Sequence, residues 1–310
     1  MSFDAEMIAA FGVGRVRREA PLAPLTTFKV GGPADWLFDA RTNDELLRAL
    51  QIAGAANVPV TILGGGSNVL IGDRGVRGLV IRPRASSIDA PATGEVRADA
   101  GVTINALVRW TIIRGLAGLE AWAGTPGTVG GGVFGNAHYG GRLIGDRIIA
   151  VRLIDRAGHV SDAPADEMEF GYDRSRLQRT GEVLLSARFG VGRGDPADLR
   201  AVARQSLAHR KRTQPLESPS AGCVFQNPDE ARDRVPTGIP ASAGALVDRA
   251  GLKGHVQGRA RISPTHANFI VNDGGATAAD IRALIDLCRR EVRRQFGVDL
   301  VEEIVYVGEA

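Results

Sequence analysis

The run Val58-Pro59-Val60-Thr61-Ile62-Leu63-Gly64-Gly65-Gly66-Ser67-Asn68-Val69-Leu70-Ile71 reads as a buried strand, a glycine turn and a second apolar stretch. Glycines directly after a strand let backbone N–H groups converge without interference from a Cβ, which makes a concave nest for phosphate oxygens. Gly64, Gly65 and Gly66 suit that role, and Ser67 and Asn68 can add side-chain donors. The run is not the dinucleotide pattern GxGxxG, because Val69 stands at the third glycine. Nor is it a phosphate-binding loop of the Walker type, because no Gly-Lys-Ser/Thr follows. A tight strand-to-strand turn is the alternative reading.

A second block, Ala123-Gly124-Thr125-Pro126-Gly127-Thr128-Val129-Gly130-Gly131-Gly132-Val133-Phe134-Gly135-Asn136-Ala137, lies further along. With Gly140 and Gly141 it holds eight glycines between positions 124 and 141, too many for one turn. Beside small residues they let backbone run against a flat or extended ligand. Two such blocks point to a large nucleotide, one surface serving a pyrophosphate and the other the rings. The competing reading is that the glycines permit close packing and nothing more.

Periodic segments surround these blocks. Thr42-Asn43-Asp44 followed by Leu46, Leu47, Leu50 and Ala53 predicts a capped amphipathic helix, and Thr103 caps another through Ile113, which Gly115 ends. The runs 148–154, 183–189 and 267–271 predict strands, and 278–296 a long helix. Helices and strands mix without strict βαβ alternation, so the fold class is α+β rather than doubly wound. Polar, proline-containing stretches near 85 and at 205–220 divide the chain into lobes at 1–84, 85–205 and 206–310.

Composition narrows the function. The 310 residues are 44% hydrophobic and 24% charged with a net charge of +3, and no apolar run reaches the ~20 residues of a membrane span. The first twenty residues do not read as a secretory signal, so a cytoplasmic protein is expected, without membrane contact. The arginine-rich stretches 204–212 and 289–294 could meet phosphate, but aromatics at 5% argue against nucleic acid. Two cysteines and five scattered histidines have no metal-ligand spacing, so no metal is expected.

The cysteines differ. Cys288 falls among Ile281, Leu284, Ile285, Val292 and Phe296, the spacing of one helix face, and reads as core. Cys223 sits in the turn-rich loop Ser218-Pro219-Ser220-Ala221-Gly222-Cys223-Val224-Phe225-Gln226-Asn227-Pro228, where a thiol can donate a proton.

Taken in order, Leu25-Thr26-Thr27-Phe28-Lys29-Val30-Gly31-Gly32-Pro33-Ala34-Asp35, the two glycine blocks, Phe170-Gly171-Tyr172, Gln214-Pro215-Leu216, Pro219-Ser220-Ala221-Gly222 and His266-Ala267-Asn268-Phe269-Ile270-Val271-Asn272 span nearly the whole chain. Together they resemble the bacterial UDP-N-acetylenolpyruvoylglucosamine reductase family, in the shorter type that lacks a substrate-capping insertion.

The resemblance implies three lobes, two forming a vanillyl-alcohol-oxidase-type FAD-binding unit and the third binding a UDP-sugar. It implies that NADPH reduces FAD and that hydride passes from flavin N5 to the methylene carbon C3 of an enolpyruvyl ether, with a proton delivered to C2. The flavin contacts it implies are Gly64, Gly65, Gly66, Ser67, Asn68, Gly124, Thr125, Pro126, Gly127, Thr128, Gly130, Gly131 and Asn136. A monomer is expected.

The family's proton donor, a serine in Ser-Ala-Gly-Ser-x-Phe, corresponds to Cys223, and its C-terminal carboxylate to Glu303, with Glu302 as the fallback. The family pattern Phe-x-Tyr-Arg-x-Ser here reads Phe170-Gly171-Tyr172-Asp173-Arg174-Ser175, so an aspartate fills the arginine column. Arg174, one step along, is the expected replacement and Arg176 the weaker one. Tyr172, Arg210, Gln226 and Asn227 are the expected substrate contacts, and His266 a structural histidine. The alternative activities are an FAD-dependent oxidase of a small alcohol on the same fold and a nucleotide-binding module without chemistry.

Overall fold

A computed structural model describes residues 2–155, 158–229 and 232–309. The chain divides into two compact units: one of residues 1–20, 34–65 and 78–209, the other of 21–33, 66–77 and 210–310. The three-lobe division at 85 and 205 stays a proposal beside this two-unit one.

The first unit holds two larger sheets. In one, the strands Val16–Pro21, Pro33–Ala40, Val76–Pro83 and Val60–Ile62 lie side by side, and Val60–Ile62 runs parallel to Val76–Pro83 with Val60 opposite Leu79. The helix Asn43–Ala55 precedes both of these strands and connects Pro33–Ala40 to Val60–Ile62. Thr42 caps that helix, its hydroxyl accepting from the Glu45 N–H at 3.1 Å, and Leu46, Ala49, Ile52 and Ala53 bury against Phe38, Leu79 and Ile81.

The other sheet is antiparallel, in the order Val160–Pro164, Ile148–Ile154, Val183–Gly190, Glu95–Asp99, Ile88–Asp89. The helix Ile104–Ile113, capped by Thr103 as its sequence predicts, packs Leu107, Val108 and Ile112 into the core of this sheet with Val96, Trp122 and Phe189. The second glycine block is not loop throughout: Val129–Phe134 is a short helix, because the Thr128 hydroxyl accepts from the Gly131 N–H and fixes a first turn.

The second unit packs the helices Ala243–Arg249 and Ala278–Phe296 with the sheet Val256–Gln257, Ala260–Ile262, Ile270–Asn272 around Phe28, Leu70, Phe225, Ile281 and Ile285. The strand expected at 267–271 begins only at Ile270, since Asn268 and Phe269 belong to the preceding turn, closed by the Phe269 N–H donating to the His266 carbonyl. Val69–Ile71 pairs in parallel with Val305–Val307, joining distant parts of the chain.

Asn272 ties this unit together. Buried at the end of its strand, it donates to the Phe28 carbonyl at 2.9 Å and accepts from the Gly274 and Ala276 N–H groups at 2.8 and 3.0 Å. Asn272→Ala orphans all of these partners, so urea unfolding should show a loss of about 2–3 kcal/mol for this unit; a change below about 0.5 kcal/mol would mean the bonds are replaced by water.

Candidate active site

In the first unit the two glycine blocks meet backbone to backbone. A Cβ on Gly65 would lie 2.6 Å from the Gly127 Cα, and one on Gly64 would lie 2.8 Å from the Thr128 hydroxyl. The turn after Trp122 is clasped by Asn105, which accepts from the Gly124 N–H at 2.7 Å and donates to the Thr125 carbonyl at 3.1 Å. Gly130 points its N–H at the Ala100 carbonyl, and a Cβ there would press on Ala100. Pro126 and Thr125 complete the turn, and Gly131 is spent on the Thr128 cap.

The backbone N–H groups of Gly64, Gly65, Gly127 and Thr128 donate to no acceptor among the described residues. Donors without a partner, in a cradle where a Cβ has no room, suit the oxygens of a dinucleotide pyrophosphate. These residues therefore fit FAD. In the second unit Gly66 takes a positive φ of 63° under the Leu25 carbonyl, and the N–H groups of Gly66, Ser67 and Asn68 likewise have no acceptor among the described residues.

Two expected flavin contacts spend their side chains on the protein itself. Asn136, fully buried with φ 45°, donates to the Gly171 carbonyl at 2.7 Å and accepts from the Gly145 N–H at 2.8 Å. In the second unit the Asn68 side chain donates to the Glu303 carbonyl at 3.1 Å, while the Asn68 carbonyl accepts from Val305.

Asn136 bolts the second glycine block to the loop that carries Tyr172, Asp173 and Arg174. Gly171 and Arg174 close a tight turn by mutual backbone hydrogen bonds at 3.0 and 3.1 Å, with Asp173 at φ 51°. The left-handed residue reverses the chain, so Arg174 does not follow the alternation of an extended strand: its guanidinium folds back over the Gly171 Cα. Arg174 is exposed and makes no ion pair among the described residues. Arg176, the weaker substitute, is committed to Glu182 and Glu167. Tyr172 is exposed and lies against His138, ring centroids 4.6 Å apart, and Asp173 meets the same imidazole at 3.0 Å.

In the second unit Cys223 and Glu303 lie on neighbouring segments. Residues 224–226 run antiparallel to 301–303, with the Glu303 N–H donating to the Val224 carbonyl at 2.8 Å and the Gln226 N–H to that of Val301 at 2.9 Å. Asn268 holds the other side: its carbonyl accepts from Val224, its side chain accepts from the Phe225 N–H at 2.9 Å and donates to the Phe225 carbonyl at 2.7 Å. Gly222, at φ 81°, turns the chain just before the thiol. Glu302, the fallback, is paired with Arg289 at 3.0 Å.

Asn227 spends its side-chain oxygen on the Ala243 N–H at 3.2 Å, and Arg210 is buried near the end of the helix Pro196–Thr213. The two thiols contrast as expected: Cys223 is half-buried, whereas burial pushes the Cys288 thiol up to about 12. His266 is structural. Burial, with the Lys253 charge second, lowers its pKa, its Nδ1 accepts from the Asn268 N–H at 3.2 Å, and its ring packs on Phe269. The residue types of Asn105, Asn268 and His138 carried no periodic signal that would have singled them out; their importance comes from partners far along the chain.

Comparisons with known proteins agree with this architecture. Residues 34–163 match a family described as FAD binding domain, and 214–307 match the UDP-N-acetylenolpyruvoylglucosamine reductase C-terminal domain. A UDP-N-acetylenolpyruvoylglucosamine reductase of Synechococcus sp. (strain WH7803) is 40% identical over 302 residues, covering 95% of this chain and 94% of that protein. The protein of that name from Rubrobacter xylanophilus is 42% identical over 294 residues, covering 94% and 95%. The crystal structure of the UDP-N-acetylenolpyruvylglucosamine reductase of Thermus caldophilus superposes with a TM-score of 0.78 at 33% identity, covering 94% of this chain and 99% of that one. The fold is accordingly the α+β class with a flavin-binding unit of the vanillyl-alcohol-oxidase type, and the chain belongs to the UDP-N-acetylenolpyruvoylglucosamine reductase family.

Proposed function

We propose that this protein reduces UDP-N-acetylglucosamine enolpyruvate to UDP-N-acetylmuramate with electrons from NADPH, in peptidoglycan precursor synthesis. FAD, held by the glycine blocks 64–68 and 124–131, supplies the relay of hydride from NADPH to the methylene carbon C3 of the substrate. The observation that carries the assignment of roles is the pairing of Val224 with Glu303, which keeps the thiol's loop and the carboxylate's segment in one register.

As hydride reaches C3, electron density moves through C2 into the substrate carboxylate. Groups that neutralise this charge lower the barrier, a preorganised donor being worth about 3–4 kcal/mol. Arg174 is the guanidinium proposed for that task, and Glu303 is the carboxyl proposed for the same reaction. The Cys223 thiol then gives its proton to C2, the S–H bond breaking as the C–H bond forms, and solvent reprotonates the thiolate. An unperturbed thiol titrates near ~8.5, so it stays protonated at neutral pH yet releases a proton far more readily than a hydroxyl. Tyr172, Arg210, Gln226 and Asn227 are assigned to the UDP-sugar, Arg210 to its diphosphate. The proposal includes a cytoplasmic monomer that binds neither nucleic acid nor membrane; among the described residues no helix is long and apolar enough to cross a membrane.

The deciding experiment is NADPH oxidation by purified, flavin-loaded protein with and without the enolpyruvyl UDP-sugar. Oxidation that needs the sugar supports the reading, whereas oxygen consumption with a small alcohol would replace it by an oxidase. Gly65→Ala forces the two glycine blocks apart, so the purified variant should retain less than about a tenth of the ~450 nm flavin absorbance of the parent; full retention would show that the close approach is unrelated to FAD. Cys223→Ser should keep much of the turnover and Cys223→Ala should lose at least about 100-fold; an alanine variant as active as the parent would remove the thiol from the mechanism. Arg174→Ala should slow reoxidation of the reduced flavin by the UDP-sugar about 100-fold while reduction by NADPH is intact, and unchanged reoxidation would reassign the cation.

A further inference from the structure

His138 is the histidine that the glycine-rich half of the chain holds most firmly, and no role has yet been given to it. It opens the short hairpin His138–Tyr139/Arg142–Leu143, whose turn residues Gly140 and Gly141 both take positive φ, 58° and 75°. Its Nδ1 lies 3.0 Å from an Asp173 carboxylate oxygen, and the Tyr172 hydroxyl lies 3.4 Å from its Nε2. The Asp173 side chain is nine-tenths buried, its second oxygen accepts no hydrogen bond, and its backbone sits in the left-handed region.

A simple tie between two loops does not account for this arrangement, because the loops are already joined without it. Asn136 links to Gly171, the Ser175 hydroxyl donates to the Phe134 carbonyl at 2.7 Å, and Gln178 donates to the carbonyls of Phe134 and Asp173. What the pair adds is direction: the Asp173 carboxylate at Nδ1 fixes the ring, with Nε2 beside the Tyr172 hydroxyl. Side-chain exposure of His138 is 26%, so the ring is held but reachable.

We propose that His138, oriented by Asp173, is a second cationic donor to the carboxylate of the enolpyruvyl substrate, acting with Arg174 at the position where the related pattern carries a lone arginine. The inference rests on the function proposed above. It explains why an aspartate is tolerated in the arginine column: Asp173 does not face the developing negative charge but orients the group that does.

The test uses flavin-loaded protein and rapid mixing. His138→Ala should slow reoxidation of reduced flavin by the enolpyruvyl UDP-sugar about 100-fold, with reduction by NADPH within about twofold of the parent. Asp173→Asn, which keeps the shape but weakens the orientation, should slow it about 10-fold. Placing a guanidinium back in the column, Asp173→Arg in the His138→Ala background, should recover at least about 10-fold. Affinity supplies a readout apart from turnover: by flavin absorbance titration, His138→Ala should bind UDP-N-acetylmuramate about 10-fold more weakly, yet bind UDP-N-acetylglucosamine, which lacks the carboxylate, as the parent does. Should His138→Ala lose its flavin, His138→Gln carries the same comparison, keeping a donor without the charge. Reoxidation and product affinity within about twofold of the parent in these variants would overturn the role of His138 alone. Failure of the parent itself to be reoxidised by the enolpyruvyl UDP-sugar would overturn the proposed function and this inference with it.

Discussion

No side chain fits between Gly65 and Gly127, and much of the first unit is organised around that contact. A Cβ on Gly65 would enter the van der Waals shell of the facing backbone by more than a flexible neighbour could yield, since the obstacle is a Cα rather than a side-chain tip. Holding two irregular segments so close leaves their N–H groups without sheet or helix partners. The surrounding elements therefore do the ordering: Thr128 caps the short helix that follows, Asn105 clasps the turn that precedes, and Val102 and Ala100 take the N–H groups of Val129 and Gly130. The donors that remain at Gly64, Gly65, Gly127 and Thr128 are the ones a pyrophosphate would satisfy. Packing and binding are thus not rival explanations of the glycines; the close approach is what concentrates the unspent donors.

The second unit solves a related problem with asparagines. Segments 224–226 and 301–303 make only a minimal ladder, too short to hold a register unaided. Asn268 brackets Phe225 through the oxygen and the nitrogen of its side-chain amide, and Asn68 fastens the Glu303 carbonyl from the side. Phe225, fully buried, anchors the segment in the core, so the loop carrying Cys223 is fixed at the residue beyond the thiol. Shape thus comes from buried apolar contact, and orientation from paired amides whose loss would orphan backbone groups.

What could be read from the sequence follows the reach of each signal. Periodicity with a capping residue is local, so the helices begun by Thr42 and Thr103, and Cys288 on the apolar face of the last helix, were legible directly. The helix Val129–Phe134 was hidden because glycine carries a poor helical propensity, and only the Thr128 cap hinted at it. Asn68 and Asn136 were legible as polar residues among glycines but not as partners of Glu303 and Gly171, positions 235 and 35 residues away. Residue type announces a capacity to donate; it does not say to whom. The pairing of Glu302 with Arg289, thirteen positions upstream, was likewise out of reach of the local sequence.

The two cysteines show how the same atom acquires opposite characters from its surroundings. On the helix Ala278–Phe296 the thiol of Cys288 faces Ile281, Ile285 and Val292, where a thiolate would lose its hydration and gain nothing in exchange, and burial pushes its pKa up to about 12. Cys223 follows a glycine in the left-handed conformation and precedes a segment pinned by Asn268, which leaves it half-buried at a turn. A proton donor needs both conditions. In the proposed role, a fixed backbone would hold the sulfur in a constant position for C2, and partial exposure would let solvent return the proton after each turnover. A serine in the same place would satisfy the geometry but hold its proton far more tightly, so it would depend more on its neighbours to release it. In the proposed role, the thiol would shift part of that burden from the surroundings to the atom itself.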